Sequence, residues 1–419
     1  MAEMTPESIA AEVEAFVAEN WDPDMTVGQW WQALLDARWS HPSLPEHAYG
    51  RGFSQSQALV AMRTLGRLNV VGPPPGLGTM LAAPTIAEHG TPEQIDLYIP
   101  RILNGTDAWC QLFSEPGAGS DLAGLQAKAE RDGDEWVVTG QKVWTSGGRI
   151  ADMGMLIART DPDAAKHAGI TYFAINMHQD SVDVRPLKEM TGRSMFNEVF
   201  MEEARVDADA QLGGLGDGWR VANTTLTHER SSIGGGSAGF VNVNAGSIAN
   251  NLDRTVGEVV ERARGGDTAG HAPGVGQKLF DRYTNVARDQ GRTTDPLFRQ
   301  QAMKLQTLIN LNRWNIQRSK SKSQRTGGEP NIAKLIDAQI HHMFREYGLA
   351  AAGADGMLGF RSSQTDQSIS EIAMFACAPS IYGGTNEVQK NIIGERVLGL
   401  PKEPGPEKGT PFRELPKNQ

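Results

Sequence analysis

Apolar positions recur at helical spacing near the start of the chain, fall into short runs through its middle, and return to helical spacing beyond residue 218. Ala10, Val13, Phe16 and Val17 share one helical face; Trp30, Trp31, Leu34 and Leu35 share another after the Asp22-Pro23-Asp24 turn. The run Thr79 to Ile86 predicts a short helix with Pro84 as its weak point. A helix restarts at Gly90-Thr91-Pro92-Glu93-Gln94, where Thr91 caps, proline suits the first helical position and an acid sits in the first turn.

Glu135 to Gly140 predicts a strand ending in a turn. Met155 to Ala158, Ile170 to Ile175 and Val199 to Met201 predict more strands, separated by Gly, Asp and Pro. Such short, closely spaced strands predict a small β sandwich or barrel. After the loop Gly213 to Gly218, segments 219–264, 277–290, 295–325 and 331–351 predict four or five helices of a bundle. Gly265 to Gly276 is expected to be a flexible loop, and the tail from Pro401 is expected to fray. The expected fold is therefore α+β and multi-domain. It comprises an N-terminal helical domain 1–108, a middle β domain 109–212, a C-terminal helical bundle 213–402 and a tail 403–419.

Composition narrows the function. The 419 residues carry 40 basic and 50 acidic side chains, a net charge of −10, which argues against a nucleic-acid partner. Cys110 and Cys377 are the only cysteines, too few for a disulfide scaffold or a Cys-x-x-Cys zinc site. Apolar runs fall far short of the roughly 18 residues that span a membrane. The acidic, polar start Met1 to Glu7 is unlike a secretory or transit leader, so the expected location is cytoplasmic.

Three short patterns mislead. Gly234-Gly235-Gly236-Ser237-Ala238-Gly239 fits Gly-x-Gly-x-x-Gly but follows a helical segment, and reads as close helix packing. His228-Glu229 lacks the second histidine of a zinc helix, since position 232 is serine. His341 and His342 point to different sides of a helix. No metal site is expected.

Three longer stretches carry chemistry. Cys110-Gln111-Leu112-Phe113-Ser114-Glu115-Pro116-Gly117-Ala118-Gly119-Ser120-Asp121 has glycines that admit close backbone approach to a ligand and hydroxyls that bond one. Gly140-Gln141-Lys142-Val143-Trp144-Thr145-Ser146-Gly147-Gly148 offers an indole to stack on a planar ring and hydroxyls for its edge. Pro379 to Arg396, with Tyr382-Gly383-Gly384-Thr385-Asn386-Glu387-Val388-Gln389, is a turn into an amphipathic helix. Alone, each has a plain explanation: a turn, a core tryptophan, a capped last helix.

In this order and spacing the three stretches resemble the acyl-CoA dehydrogenase family, over about residues 25 to 402. The resemblance implies FAD, an acyl-CoA substrate, electron-transfer flavoprotein as acceptor, and a homo- or heterotetramer built from dimers. It implies a place in lipid metabolism such as fatty acid β-oxidation. The implied reaction is α,β-dehydrogenation to the trans-2-enoyl-CoA, in which a carboxylate removes the α-proton and the β-hydrogen leaves as hydride to flavin N5. By the same resemblance Phe113 and Ser114 face flavin and substrate, Ser120 meets the substrate, and Trp144 and Ser146 flank the flavin. Thr385 and Glu387 contact FAD from the last helix, and Arg288 reaches the FAD pyrophosphate of a neighbouring subunit. One departure is clear: a glutamine that contacts FAD across the family's dimer is replaced here by Ala350.

The base is the second departure. Many members carry it as the glutamate of Tyr-Glu-Gly-Thr, and here that position is Gly383. Glycine removes no proton, but its N–H still serves as a donor to the thioester oxygen. Isovaleryl- and long-chain-type members instead place the base on a bundle helix, in a Glu-Arg pair matched by Glu229-Arg230. Glu229 is thus the expected base and Arg230 an expected contact to the CoA chain. The alternatives are a non-catalytic or partner-dependent subunit of a hetero-oligomer, and a flavin oxidase or monooxygenase on the same fold. Nothing in the sequence selects acyl chain length, branching or a steroid substrate.

Overall fold

The computed structural model describes residues 4–416 apart from 233–239, 265–274, 320, 322–325, 362–366 and 408; side chains 230–232, 264, 357, 359–361 and 367 are also outside the described set. The chain divides into two compact units: 1–188 with 194–268 and 406–419, and 189–193 with 269–405.

The first unit begins with helices α1 (Pro6–Asn20), α2 (Val27–Asp36), α3 (Gln55–Arg67), α4 (Ala83–His89) and α5 (Pro92–Leu103). Their starts follow sequence chemistry. Thr26, Ser54 and Thr91 each form a reciprocal capping box with a glutamine three residues on. Trp30 and Trp31 are both fully buried, which works because their indole N–H groups donate to the Val71 and Gly72 carbonyls at 2.7 and 2.8 Å.

Eight strands follow: β1 (Trp109–Leu112), β2 (Lys128–Asp132), β3 (Glu135–Ser146), β4 (Met153–Arg159), β5 (Ile170–Asn176), β6 (Val182–Leu187), β7 (Phe196–Asp207) and β8 (Gln211–Leu212). They form one sheet in the order β6-β7-β3-β2-β4-β5-β8, with β1 parallel to β4. The expected turn at Gly140 is absent. β3 runs on to Ser146, with register shifts between Val138 and Gly140 and between Lys142 and Thr145. Gly140 marks a bulge: a β-carbon there would stand 2.4 Å from the Ala127 β-carbon.

The segment 219–264 is not continuously helical. α6 (Gly218–Ser232) and α7 (Val256–Arg264) are helices, whereas 240–255 is irregular among the described residues and pairs through isolated bridges with Val71 and Thr26. Asn244, Gly246, Asn250 and Asn251 favour turns there. Val256, Val259 and Val260 complete the core of Ile9, Val13, Trp30 and Leu65. The tail also departs from expectation. Phe412 is buried beneath the Arg159 guanidinium, 3.5 Å from its ring centroid, and its N–H donates to the Ala164 carbonyl. Cation–π packing and main-chain pairing explain why 410–415 is held.

The second unit holds α8 (Gln277–Asp289), α9 (Pro296–Ser319), α10 (Glu329–Ala352), α11 (Gln367–Phe375) and α12 (Asn386–Ile392). Phe280, Tyr283, Leu305, Phe344 and Tyr347 form its core. The glycine run 234–239 and most of the Gly265–Gly276 segment lie outside the described residues.

Candidate active site

In the first unit, α6 brings Glu229 to the sheet. Thr225, fully buried, bonds Thr85 and Tyr172 through its hydroxyl. Glu229 follows one turn later on the same face. It is half-buried, and the Gln111 side-chain amide donates to its Oε2 at 3.5 Å. Gln111 belongs to β1, which runs directly into Phe113 and Ser114. The preceding residue, His228, is held below the ordinary histidine value by burial, against the charge of Glu88. It is therefore neutral at neutral pH. The Arg230 side chain lies outside the described set.

The Phe113–Asp121 loop and the end of β3 are stapled together. The Val143 N–H donates to the Ser114 carbonyl at 2.9 Å. Lys142 is completely buried; its ammonium donates to the Phe113 carbonyl at 3.1 Å and to Glu115 Oε1 at 2.9 Å. Burial pulls the Lys142 ammonium below the usual lysine value, opposed by Glu115. Glu115 also accepts the Gln126 and Ala127 N–H groups. This buried pair has no counterpart in the sequence reading. Its one signal is a charged residue within each of two stretches that the sequence singles out.

Trp144 stands out beside the staple. It sits in the left-handed region at φ 62°, is 60% exposed, and is braced edge-on by Phe196 at 5.8 Å. A bulky residue there is strained, and such strain persists where the surroundings enforce it. The bulge between Lys142 and Thr145 turns its indole out of the sheet, with Ser146 two residues on. The Phe113 ring is buried edge-on against Tyr172. Ser120 is exposed on its loop.

In the second unit, Gly383 and Gly384 form a left-handed turn at φ 64° and 82°. Thr385 caps α12, accepting the Val388 N–H at 3.2 Å, and Glu387 is exposed in the first turn. Gln389, buried, donates to the Gly383 carbonyl at 2.8 Å and accepts from Asn331 at 2.6 Å. Arg288 ends α8 and donates to Asn285 Oδ1. Ala350 packs against the core of this unit. Thus, in the first unit, Glu229 meets β1 at Gln111, three residues before Ser114, and Ser114 is tied to β3 beside Trp144 and Ser146; Gly383, Thr385 and Glu387 follow one another at the start of α12 in the second.

Family models for the N-terminal, middle and C-terminal domains of acyl-CoA dehydrogenase match residues 1–106, 110–204 and 266–398. The Mycobacterium tuberculosis acyl-CoA dehydrogenase IpdE1 is 35% identical over 378 residues, 89% of this chain and 88% of that protein. The chain belongs to the acyl-CoA dehydrogenase family. Among solved structures, the Tcur3481-Tcur3483 steroid acyl-CoA dehydrogenase is 25% identical, covering 95% of this chain and 98% of that one at a TM-score of 0.68. The ChsE4-ChsE5 complex from Mycobacterium tuberculosis shares the fold at 22% identity and a TM-score of 0.68, covering 96% of this chain and 100% of that one.

Acyl-CoA dehydrogenases are FAD-dependent oxidoreductases. The donor set here fits a flavin: an exposed indole held at a strained bulge, hydroxyls beside it, and a glycine-rich loop fixed by the Lys142 staple. Among the described residues, no group of histidine, cysteine or carboxylate side chains suits a metal ion. Among them too, no helix is long and apolar enough to cross a membrane.

Proposed function

We propose that this acyl-CoA dehydrogenase removes the α-proton of its substrate with Glu229 and yields the trans-2-enoyl-CoA. The observation that carries this is the placement of Glu229 on the inner face of α6, against Gln111, in a chain whose residue 383 is glycine. The α-proton of a thioester is a poor acid, removed only by a positioned base with the substrate oxygen stabilised by fixed donors. Glu229 is that base, and the Gly383 N–H is one such donor. Bound FAD supplies the acceptor for the β-hydrogen. In the first unit Phe113, Ser114, Trp144 and Ser146 would bind FAD; in the second, Thr385 and Glu387 would bind FAD. Ser120 and Arg230 contact the acyl-CoA, and Arg288 extends to the cofactor of a second subunit. The functional domains are 1–108, 109–212 and 213–402, followed by the tail 403–419. An electron-transfer flavoprotein is the proposed acceptor.

Likeness to a steroid acyl-CoA dehydrogenase supports including steroid-derived acyl-CoAs with straight and branched chains in the substrate panel. Anaerobic loss of flavin absorbance with one class of acyl-CoA is the expected result. Bleaching by none of them in the pure protein would contradict the reading. Tcur3481-Tcur3483 and the ChsE4-ChsE5 complex each pair two names, which supports one alternative, a partner-dependent subunit. Slow bleaching that becomes fast on adding a second chain would favour it. Rapid reoxidation by air would favour an oxidase.

A further inference from the structure

The turn carrying Gly383 has no side chain of its own to hold it. Gly383 and Gly384 both lie at positive φ, where glycine is conformationally free. A side chain from the following helix restrains the peptide between them. Gln389, 2% exposed, donates from Nε2 to the Gly383 carbonyl at 2.8 Å. A β-carbon on Gly384 would stand 2.7 Å from that same nitrogen, so a side chain at 384 would displace the clamp.

Gln389 is itself held. Asn331 Nδ2 donates to its Oε1 at 2.6 Å, and Asn331 is only 9% exposed. Asn331 lies in the first turn of α10. The start of that helix is anchored by the buried Glu329 carboxylate, which accepts the N–H groups of Thr326 and Gly327. From α9, Asn315 donates to the Glu329 carbonyl at 3.0 Å. An amide's orientation is decided by its partners. Here the Asn331 donor turns the Gln389 oxygen toward α10 and its NH2 toward Gly383. Two buried amides, each costly to leave unsatisfied, are thus aligned on one glycine carbonyl.

We propose that Gln389 and Asn331 are positioning residues for the dehydrogenation. They set the orientation of the Gly383 main chain, whose N–H meets the substrate's thioester oxygen. This rests on the role given above to Gly383, and it is independent of which residue is the base.

Two nearly isosteric substitutions test it. Gln389→Glu removes the donor to the Gly383 carbonyl. Asn331→Asp removes the donor to Gln389 and draws its NH2 away from the glycine. In the holoenzyme, each should keep its FAD and melt close to the wild type. Each should lower kcat about 10- to 100-fold, somewhat less than deleting an oxyanion donor outright. KM for the preferred acyl-CoA should change less than about threefold, because the clamp acts on charge that develops in the transition state. Wash-in of solvent deuterium at the substrate α-carbon should slow in parallel. Combining the two should cost little more than the worse single change.

Wild-type kcat and deuterium wash-in in both variants would overturn the proposal. So would a rise in KM alone, or loss of FAD and of the folded state in step with kcat. Glu229→Gln, assayed alongside, separates the two claims. If it is inactive while both amide variants are normal, only the amide relay fails. If it turns over normally while the amide variants are slow, only the base assignment fails.

Discussion

At the scale of single residues, the proposed reading distributes the family's chemistry over two positions, a main-chain role at Gly383 and the carboxylate at Glu229. Adding Gly383→Glu to Glu229→Gln returns a carboxylate to the family's usual position. Partial recovery of turnover is expected, measured as the rate of anaerobic flavin bleaching; a double variant as inactive as the single one would contradict it. Gln111 faces Glu229 at 3.5 Å. Gln111→Glu would set a second carboxylate beside the base, and like charges raise the pKa at which one of the pair ionises. The acid limb of the kcat–pH profile should therefore move to higher pH. Glu229 and Gly383 stand out in the sequence because both sit in motifs. Gln111 and Gln389 lie in two of the same stretches and Asn331 in none, yet none of the three stands out, since amides carry meaning only through the partners that folding supplies.

At the scale of elements, the bulged strand β3 and the loop it grips form the scaffold proposed to hold the flavin. The Lys142–Glu115 pair is their joint. Removing one partner of a buried ion pair strands the other, at about 3–5 kcal/mol. Lys142→Met should therefore lower the unfolding free energy by about 3–5 kcal/mol in denaturant melts. It should also loosen FAD retention, because Trp144 and Ser114 lose a common anchor. Gly140→Ala forces a β-carbon into Ala127 and should cost about 1–3 kcal/mol in the same melts. Short apolar runs mark the strand positions, but glycine marks turns and bulges alike, so Gly140 reads as the end of a strand. What decides between them is the neighbour, Ala127, which is remote from any local pattern. Segment 240–255 shows the converse: its asparagines and glycine were visible turn formers, outweighed by the helical periodicity on either side.

At the scale of the whole molecule, the chain forms two units, and its C-terminal residues belong to the first. Phe412 under Arg159 ties the tail to the β domain. Phe412→Ala should cost about 3 kcal/mol of stability, as for other buried aromatics. Stability should also depend on pH through His41, whose imidazole burial holds at about 4 against an ordinary 6.5. The folded state then binds fewer protons than the unfolded chain between those values, so this contribution is complete above pH 6.5. It declines as pH falls toward 4 and is lost below. The melting temperature should drop across that window, less steeply in His41→Asn. The family's order of helical, β and helical parts was legible from periodicity. The docked tail was not, because a Pro- and Lys-rich end reads as solvated until an arginine is found above its one aromatic ring.

The most direct measurement is anaerobic mixing of the FAD-loaded Glu229→Gln protein with the acyl-CoA that bleaches the wild type fastest. Bleaching should slow by about 10²–10⁴-fold, the usual contribution of a general base, with FAD still bound at wild-type stoichiometry. Bleaching at the wild-type rate would show that another group takes the proton, and would contradict the central claim.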